Sequence, residues 1–584
     1  MEPWVELGYK IVDEIERGAG LVVVFAPTGF GKTMSSPYLL EEALRRGLAT
    51  RLIHVVPNRA LLREIYSGKF RELGEKLGLN VAYQSMDRIP GALKSPYFLS
   101  DLIVTTLESF LLNIYKFPPV EVVKVAEGRS QGHYYPSIAA LLTSIVVLDE
   151  AHIYVGEYED RYADLVISAI KALAELKVPV VLETATISIK LLRGIAGSVT
   201  SNTSILYVCP EGVECPQLER LKMLKEFGSN VNQVPLASNT TSVKWATRIA
   251  NSYNEAVREA REMCREKVVL FITNTVDKAV ETYKMLKDDC SSTLIHSRLK
   301  EGDKVKALSK VADIKNEGRG LIVASPIVEV GVDIDADVLV SEIAPVENIV
   351  QRAGRLCRDL RRRGGGCDAQ VVLFSGDSGF YNETTTSKTF DELMRIGNLE
   401  WRALWNTSNG VTYAEILDSV YQSLDIGKPL PYQIFENIVK NDIRPLMVSE
   451  RELEPLSVLE EFKSLSLVKI LVGSENSDLD EEYVLMDLSQ LKYFEKNMRC
   501  LERSEEGSVR VALVTRKGGS MHVKSNVYST VLAKALEEGR FRLRTLRQLG
   551  DELFKSLDEE EYLIDYFLVA RRECYKEGLG IYVE

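Results

Sequence analysis

Leu21-Val22-Val23-Val24-Phe25 runs directly into Ala26-Pro27-Thr28-Gly29-Phe30-Gly31-Lys32-Thr33. The apolar run predicts a buried strand. The polar, glycine-bearing stretch predicts a loop, and the amphipathic sequence after it predicts a helix. Strand, loop and helix in that order form a phosphate-binding unit. Gly29 and Gly31 let the backbone approach phosphates closely, and the amides at the helix start offer donors to an anion. Lys32 is placed for the β/γ-phosphates and the Thr33 hydroxyl for Mg²⁺. Thr28, Gly29, Gly31, Lys32 and Thr33 are thus the expected nucleotide-binding set, although Ala26 stands where the first glycine of the usual pattern falls.

A second run, Val146-Val147-Leu148-Asp149-Glu150-Ala151-His152, ends an apolar strand in two carboxylates. The carboxyl edge of a parallel sheet is where open α/β folds bind ligands. Asp149 is expected to hold Mg²⁺, and Glu150 to orient and activate the attacking water.

Length and composition leave room for a multidomain machine. The chain has 584 residues, 45% of them apolar, and so divides into several domains. No apolar run reaches the roughly 18 residues of a membrane span, and no charged leader opens the chain, so a soluble cytoplasmic protein is expected. The net charge of −12 argues against a uniformly basic coat. It leaves a local positive groove open, because a binding footprint is local and formal charge is a sum. The eight cysteines show no paired CxxC spacing, so neither zinc nor a disulfide framework is expected and they read as small buried side chains.

The motif series resembles the superfamily 2 helicases of DEAD/DEAH type. Pro57-Asn58-Arg59 and Asp101-Leu102-Ile103-Val104-Thr105-Thr106 are similar to that family's first nucleic-acid-contacting segments, and Thr184-Ala185-Thr186 to the element that links nucleotide state to the nucleic-acid site. Val268 to Thr275 opens another run of alternating strands and helices. His296-Ser297-Arg298 falls where the family contacts the nucleic-acid backbone, although His296 also fits a structural role. In Leu321 to Asp335 the resemblance implies close backbone approach at Gly331 and a position near nucleotide or its ribose for Asp333. In Gln351-Arg352-Ala353-Gly354-Arg355-Leu356-Cys357-Arg358, Arg355 and Arg358 would lie one turn apart on a helix. Both are the expected arginine fingers, with Gln351 and Arg352 linking the acidic motif, nucleotide and domain interface.

The resemblance implies an α/β fold with two tandem RecA-like domains built on parallel sheets. These are expected over residues 1–210 and 211–378, followed by a linker and a mixed or mainly helical accessory region over 379–584. ATP and Mg²⁺ are the implied cofactors. Within the superfamily the chain looks closest to the stand-alone CRISPR-associated helicases of type I interference. That implies 3′-to-5′ movement on single-stranded or partly unwound DNA beside a guide-RNA surveillance complex. With five histidines, no adjacent His-Asp pair and a phosphate loop so early, the nuclease is expected on a separate HD protein. A DNA-repair or RNA-processing helicase is the alternative, and a non-hydrolysing nucleic-acid clamp the remaining one.

Past residue 379 the sequence is less regular. Thr385 to Thr389 reads as linker, followed by a helix-prone stretch with Trp401 and Trp405. The basic groups Arg516, Lys517 and Lys524, and Arg540, Arg542, Arg544 and Arg547, fit either a single-strand channel or a solvated docking face.

Overall fold

The computed structural model describes residues 2–85, 89, 91–116, 118, 120, 135–155, 161–199, 202–227, 230–236, 242–329, 331–360, 366–379, 381–408, 410–424, 433–441, 467–473, 479, 481–518, 520–541, 543–558 and 560–582. The chain forms two compact units: Met1–Val125, Arg129–Ala256 and Glu329–Val448 in the first, Ala126–Gly128, Val257–Val328 and Ser449–Glu584 in the second. No helix among the described residues is long and apolar enough to cross a membrane.

The first unit is built on an eight-stranded sheet. Its strands are β1 (Leu21–Phe25), β2 (Arg51–Val56), β3 (Val81–Gln84), β4 (Leu102–Thr106), β5 (Ser144–Leu148), β6 (Val180–Thr184), β7 (Thr203–Pro210) and β8 (Val231–Leu236). They lie in the order β3-β4-β2-β5-β6-β1-β7-β8, and every pairing is parallel. A parallel sheet has both faces covered, so its strands read as continuous apolar runs; β1, β4, β5 and β6 are buried at every position. Because β1 and β5 are separated only by β6, their carboxyl ends open on the same edge. That geometry sets the phosphate loop near the Asp149–Glu150 pair.

In the first unit, β14 (Gly366–Phe374) pairs in parallel with β13 (Val338–Glu342) and β9 (Ser242–Ala250). In the second unit, β12 (Gly320–Ala324) pairs in parallel with β10 (Val268–Ile272) and β11 (Ser292–Ile295). The two RecA-like parallel sheets are those implied by the motif series.

The accessory region is mixed. A short pair, β15 (Leu399–Glu400) and β16 (Val411–Thr412), belongs to the first unit. The second unit carries a five-stranded sheet of β17 (Leu467–Leu471), β18 (Tyr483–Asp487), β19 (Val509–Lys517), β20 (Ser520–Ser529) and β21 (Tyr562–Val569) in the order β18-β17-β21-β19-β20. Val468, Ile470, Val511, Leu513 and Leu568 from one face of this sheet join a core with Leu532 and Leu536 of the helix Thr530–Glu538.

Three sequence expectations are corrected. Thr385 to Thr389 is no linker but the first half of the helix Glu383–Ile396. Asn382 caps it by accepting from the Thr385 amide at 3.1 Å, and the Thr386 and Thr389 hydroxyls donate to carbonyls four residues back. The stretch with Trp401 and Trp405 is not helical. The buried Glu400 carboxylate accepts from the Arg402 and Ala403 amides at 3.1 and 3.3 Å and from Trp245 Nε1 at 2.8 Å, bending the chain into a turn.

The cysteines form four disulfides: Cys209–Cys215, Cys264–Cys290, Cys357–Cys367 and Cys500–Cys574. Their separations run from 6 to 74 residues. Tertiary packing, rather than a local spacing visible in the sequence, brings the partners to Cα distances of 5.3–6.5 Å, within the bonding range.

Candidate nucleotide site

The phosphate loop takes the backbone form its glycines permit. Gly29 and Gly31 sit in the left-handed region at φ 78° and 91°. A Cβ on Gly31 would come within 3.0 Å of the Trp4 ring, so the position is restricted by space as well as by φ. Lys32 begins a single tight turn, Lys32–Met34, that leads into the helix Ser35–Arg45. The Lys32 ammonium is buried, 3.3 Å from the Ala26 carbonyl and 3.7 Å from Glu150 Oε1. Thr28 Oγ1 is buried with no partner, a polar atom left for a ligand in the cradle.

The acidic pair meets this loop from β5. Thr33 Oγ1 donates to Asp149 Oδ2 at 2.8 Å. Burial works against the charge on Asp149, but the neighbouring His54 ring and Lys32 outweigh it and hold the carboxyl below its ordinary range. A hydroxyl and a carboxylate are hard oxygen donors suited to Mg²⁺.

Glu150 differs from its neighbour. Its backbone is left-handed at φ 50°, an unusual conformation for a non-glycine residue, and its carboxylate faces Lys32 of the loop. Burial raises its pKa against the opposing pull of Lys32. Gln351 Nε2 lies 3.4 Å from Glu150 Oε2, and His152 Nδ1 lies 3.6 Å from the same oxygen. Burial lowers the His152 pKa to about 3, so the ring is neutral.

One further acid was not singled out from sequence. Glu183, on β6 one residue before Thr184-Ala185-Thr186, is fully buried; burial and then Asp149 push its pKa up to about 8. It accepts from Ser35 Oγ at 3.1 Å. Thr184 Oγ1 accepts from the Thr186 amide at 3.1 Å, and the Ala185 carbonyl accepts from Tyr413 at 2.9 Å, which fixes that loop against the helix Tyr413–Ser423.

The arginine motif is arranged differently from the expected helical turn. The helix Val346–Ala353 ends before Arg355, so Arg355 and Arg358 project from the irregular segment after it. Arg355 is buried and donates to the carbonyls of Val332 and Glu329 at 2.8 and 2.5 Å, while its Nε has no partner. Burial, and then the charge of Arg358, pull its pKa down to about 10, while Glu150 among nearby acids favours its charge. Arg358 is partly exposed, 3.3 Å from Asp333 Oδ1 and 3.9 Å from Glu64 Oε1.

Gln351 therefore joins Glu150, whereas Arg352 is a fully buried anchor. It donates to Glu329 Oε1, Ser341 Oγ and the Glu342 carbonyl at 2.8 Å each and to Tyr381 at 3.0 Å. Gly331, at φ 82°, packs tightly against neighbouring backbone: a Cβ there would meet the Leu61 amide nitrogen at 2.5 Å. Asp333 itself is largely exposed.

The segments expected to meet nucleic acid are end caps in part. Asn58 caps the helix Arg59–Ser67 by accepting from the Leu61 amide at 2.8 Å, and Thr106 caps Leu107–Ile114. His296 is fully buried. Its Nε2 donates to the Leu579 carbonyl at 3.1 Å and its Nδ1 accepts from the Arg298 amide at 3.2 Å, so of its two readings the structural one holds here. Arg516 and Lys517 are exposed at the end of β19, whereas Lys524 pairs with Asp558 and Glu561 at 2.7 and 2.6 Å. Arg540 is exposed, Arg544 and Arg547 fall on the helix Leu543–Phe554, and Arg542 lies outside the described residues.

Family models agree with this arrangement. Residues 9–193 match the DEAD/DEAH box helicase model, and residues 265–361 match the C-terminal model of the CRISPR-associated nuclease/helicase Cas3. A CRISPR-associated helicase Cas3 of Thermoproteus tenax is 29% identical over 388 residues, covering 64% of this chain and 59% of the relative. A CRISPR-associated nuclease/helicase Cas3 of Methanothermobacter thermautotrophicus is 24% identical, covering 74% of this chain and 49% of the relative. The chain thus spans between about half and three-fifths of the length of these curated relatives. Among solved structures, that of T. fusca Cas3-AMPPNP shares the fold with a TM-score of 0.56 and 16% identity, covering 85% of this chain and 65% of that one. A chain of a CRISPR RNA-guided surveillance complex, pre-nicking, gives a TM-score of 0.51 at 17% identity over 89% of this chain and 69% of that one. Motif order, site geometry and these matches together make the chain similar to superfamily 2 helicases of DEAD/DEAH type, and among them to the CRISPR-associated Cas3 proteins.

Proposed function

We propose that the chain is a nucleic-acid-stimulated ATPase that translocates 3′ to 5′ on single-stranded or partly unwound DNA in type I CRISPR interference. The observation that carries the ATPase reading is the convergence of Thr33, Asp149, Lys32, Glu150 and Gln351 at one sheet edge. Thr28, Gly29, Gly31 and Lys32 would hold the triphosphate, and Thr33 and Asp149 the Mg²⁺ that offsets its charge. Glu150, with its pKa raised by burial, is poised to take the proton of the water attacking the γ-phosphate, and Gln351 holds its carboxylate in place. Arg355 and Arg358 would stabilise charge developing on the transferred group after they exchange their present carbonyl and carboxylate partners for phosphate oxygens. Gly331 and Asp333 complete the nucleotide-facing set.

The CRISPR assignment is supported by the similarity to Cas3 relatives and to a chain of a CRISPR RNA-guided surveillance complex. On this reading, target recognition belongs to the guide complex, and DNA cutting belongs to a separate HD nuclease. A DNA-repair or RNA-processing helicase is the competing outcome. The test is ATP hydrolysis with single-stranded DNA, RNA or no nucleic acid, combined with displacement of strands from 3′- and 5′-tailed duplexes. Stimulation by DNA and displacement only from the 3′-tailed duplex support the proposal. Stronger stimulation by RNA contradicts it.

A further inference from the structure

Behind Asp149 lies a histidine that none of the nucleotide motifs includes. His54 is on β2, which pairs directly with β5; His54 is in register with Val147, and the Asp149 amide donates to the Val55 carbonyl at 2.9 Å. The ring is completely buried. On one side, Nδ1 lies 2.9 Å from Ser36 Oγ, in the first turn of the helix that follows the phosphate loop. On the other, Nε2 lies 3.4 Å from Asp149 Oδ2, the oxygen that also accepts from Thr33. Nε2 makes no hydrogen bond of ordinary geometry, so Asp149 Oδ2 is the charged group it faces, and a buried ring nitrogen without a partner is costly.

The neighbours decide the tautomer. If Nδ1 carried the proton, the bare lone pair of Nε2 would face a carboxylate oxygen. If Ser36 donates to Nδ1, Nε2–H faces Asp149 and no lone pair is set against the carboxylate. Ser36 therefore orients the ring, and the ring orients the carboxylate. In metal sites such outer partners fix the orientation of a ligand and change metal affinity by about 10–100-fold when removed.

We infer that His54, held by Ser36, is a positioning residue that presets Asp149 for the divalent cation. It links the helix after the phosphate loop to the acidic strand through the chain Ser36–His54–Asp149–Thr33. The inference rests on the reading of Thr33 and Asp149 as cation ligands.

The experiment measures Mn²⁺ binding to the full chain by electron paramagnetic resonance, with a non-hydrolysable ATP analogue present. Binding of the fluorescent analogue in EDTA is measured in parallel. His54→Leu is expected to weaken Mn²⁺ binding by about 10–100-fold while analogue binding in EDTA is unchanged. His54→Gln, whose amide can place a donor where Nε2 stands, is expected to restore affinity to within about threefold. Ser36→Ala keeps the ring but frees it, and is expected to weaken Mn²⁺ binding by about threefold or more. If His54→Leu does not fold, Ser36→Ala alone decides, and wild-type Mn²⁺ affinity in that variant overturns the inference. Unchanged Mn²⁺ affinity in a folded His54→Leu, or an equal loss of analogue binding in EDTA, also overturns it. Asp149→Asn separates the two levels. Loss of Mn²⁺ binding there with none in His54→Leu rejects only the positioning role, while retention there rejects the cation site itself and the inference with it.

Discussion

Gln351 and Glu150 are 201 residues apart in the chain, and Gln351 Nε2 stands 3.4 Å from Glu150 Oε2. The contact joins the arginine motif to the acidic motif within one compact unit. It gives the base candidate a hydrogen-bond donor from outside its own motif.

Removing that partner tests the link. A hydrogen bond to a charged group contributes about 1.5–3 kcal/mol, so Gln351→Ala is expected to lower ATP turnover by roughly 10–100-fold. Thermal melting should move little. Wild-type turnover in steady-state assays would show that the contact has no role in hydrolysis.

Gly331 carries a prediction about stability. Its φ is 82°, and an added Cβ would lie 2.5 Å from the Leu61 nitrogen and 2.9 Å from the Ala60 carbonyl carbon, neither of which can swing aside. Gly331→Ala is expected to cost about 2 kcal/mol or more in urea unfolding. A loss below about 0.5 kcal/mol would mean that this close approach is absent in solution.

Acid sensitivity should trace in part to His296. Burial, and then the charge of Arg298, depress its pKa to about 3, against an ordinary value of 6.5. The folded state then binds fewer protons than the unfolded state between those values, so stability is full above about pH 6.5 and falls as pH is lowered through that window. The slope is about 1.4 kcal/mol per pH unit for one histidine. His296→Gln can keep the donor to the Leu579 carbonyl without titrating, so urea unfolding at pH 7 and pH 5 should show a smaller acid loss in the variant. Equal losses in the two proteins would assign the acid sensitivity elsewhere.

The disulfides predict a redox-dependent stability. Cys500–Cys574 closes a loop with a sequence separation of 74 residues, for which chain-entropy arguments give about 4 kcal/mol. Cys500→Ser with Cys574→Ser should lower the melting temperature of the oxidised protein and reduce its response to a thiol reductant. An unchanged melting temperature would contradict this bridge.

The parts of the site legible in the sequence are those whose partners lie within a few residues along the chain. Lys32 and Thr33 follow glycines in a loop, and Asp149 and Glu150 end an apolar strand, so local spacing reveals their chemistry. His54 and Glu183 belong to no local motif: each is an ionisable side chain in a strand of mostly apolar residues. Only the sheet order β2-β5-β6-β1 places them beside the carboxylates and the loop. An ionisable residue among mostly apolar strand positions is the available signal. The helix Glu383–Ile396 is obscured by threonines, which are weak helix formers; the Asn382 cap and the donation of two of their hydroxyls to the preceding turn are local features that propensity alone does not weigh. The arginines failed in the opposite direction, because an expected helix stops at Ala353 and a buried guanidinium instead seeks the Glu329 and Val332 carbonyls.

The most direct measurement is single-stranded-DNA-stimulated ATP hydrolysis by the wild type, Glu150→Gln and Lys32→Ala, with analogue binding followed in the same preparations. Removing a positioned base typically costs about 10²–10⁴-fold. Glu150→Gln should therefore lose turnover by at least about 100-fold while still binding the analogue, and Lys32→Ala should lose both. Wild-type hydrolysis in both variants would contradict the account.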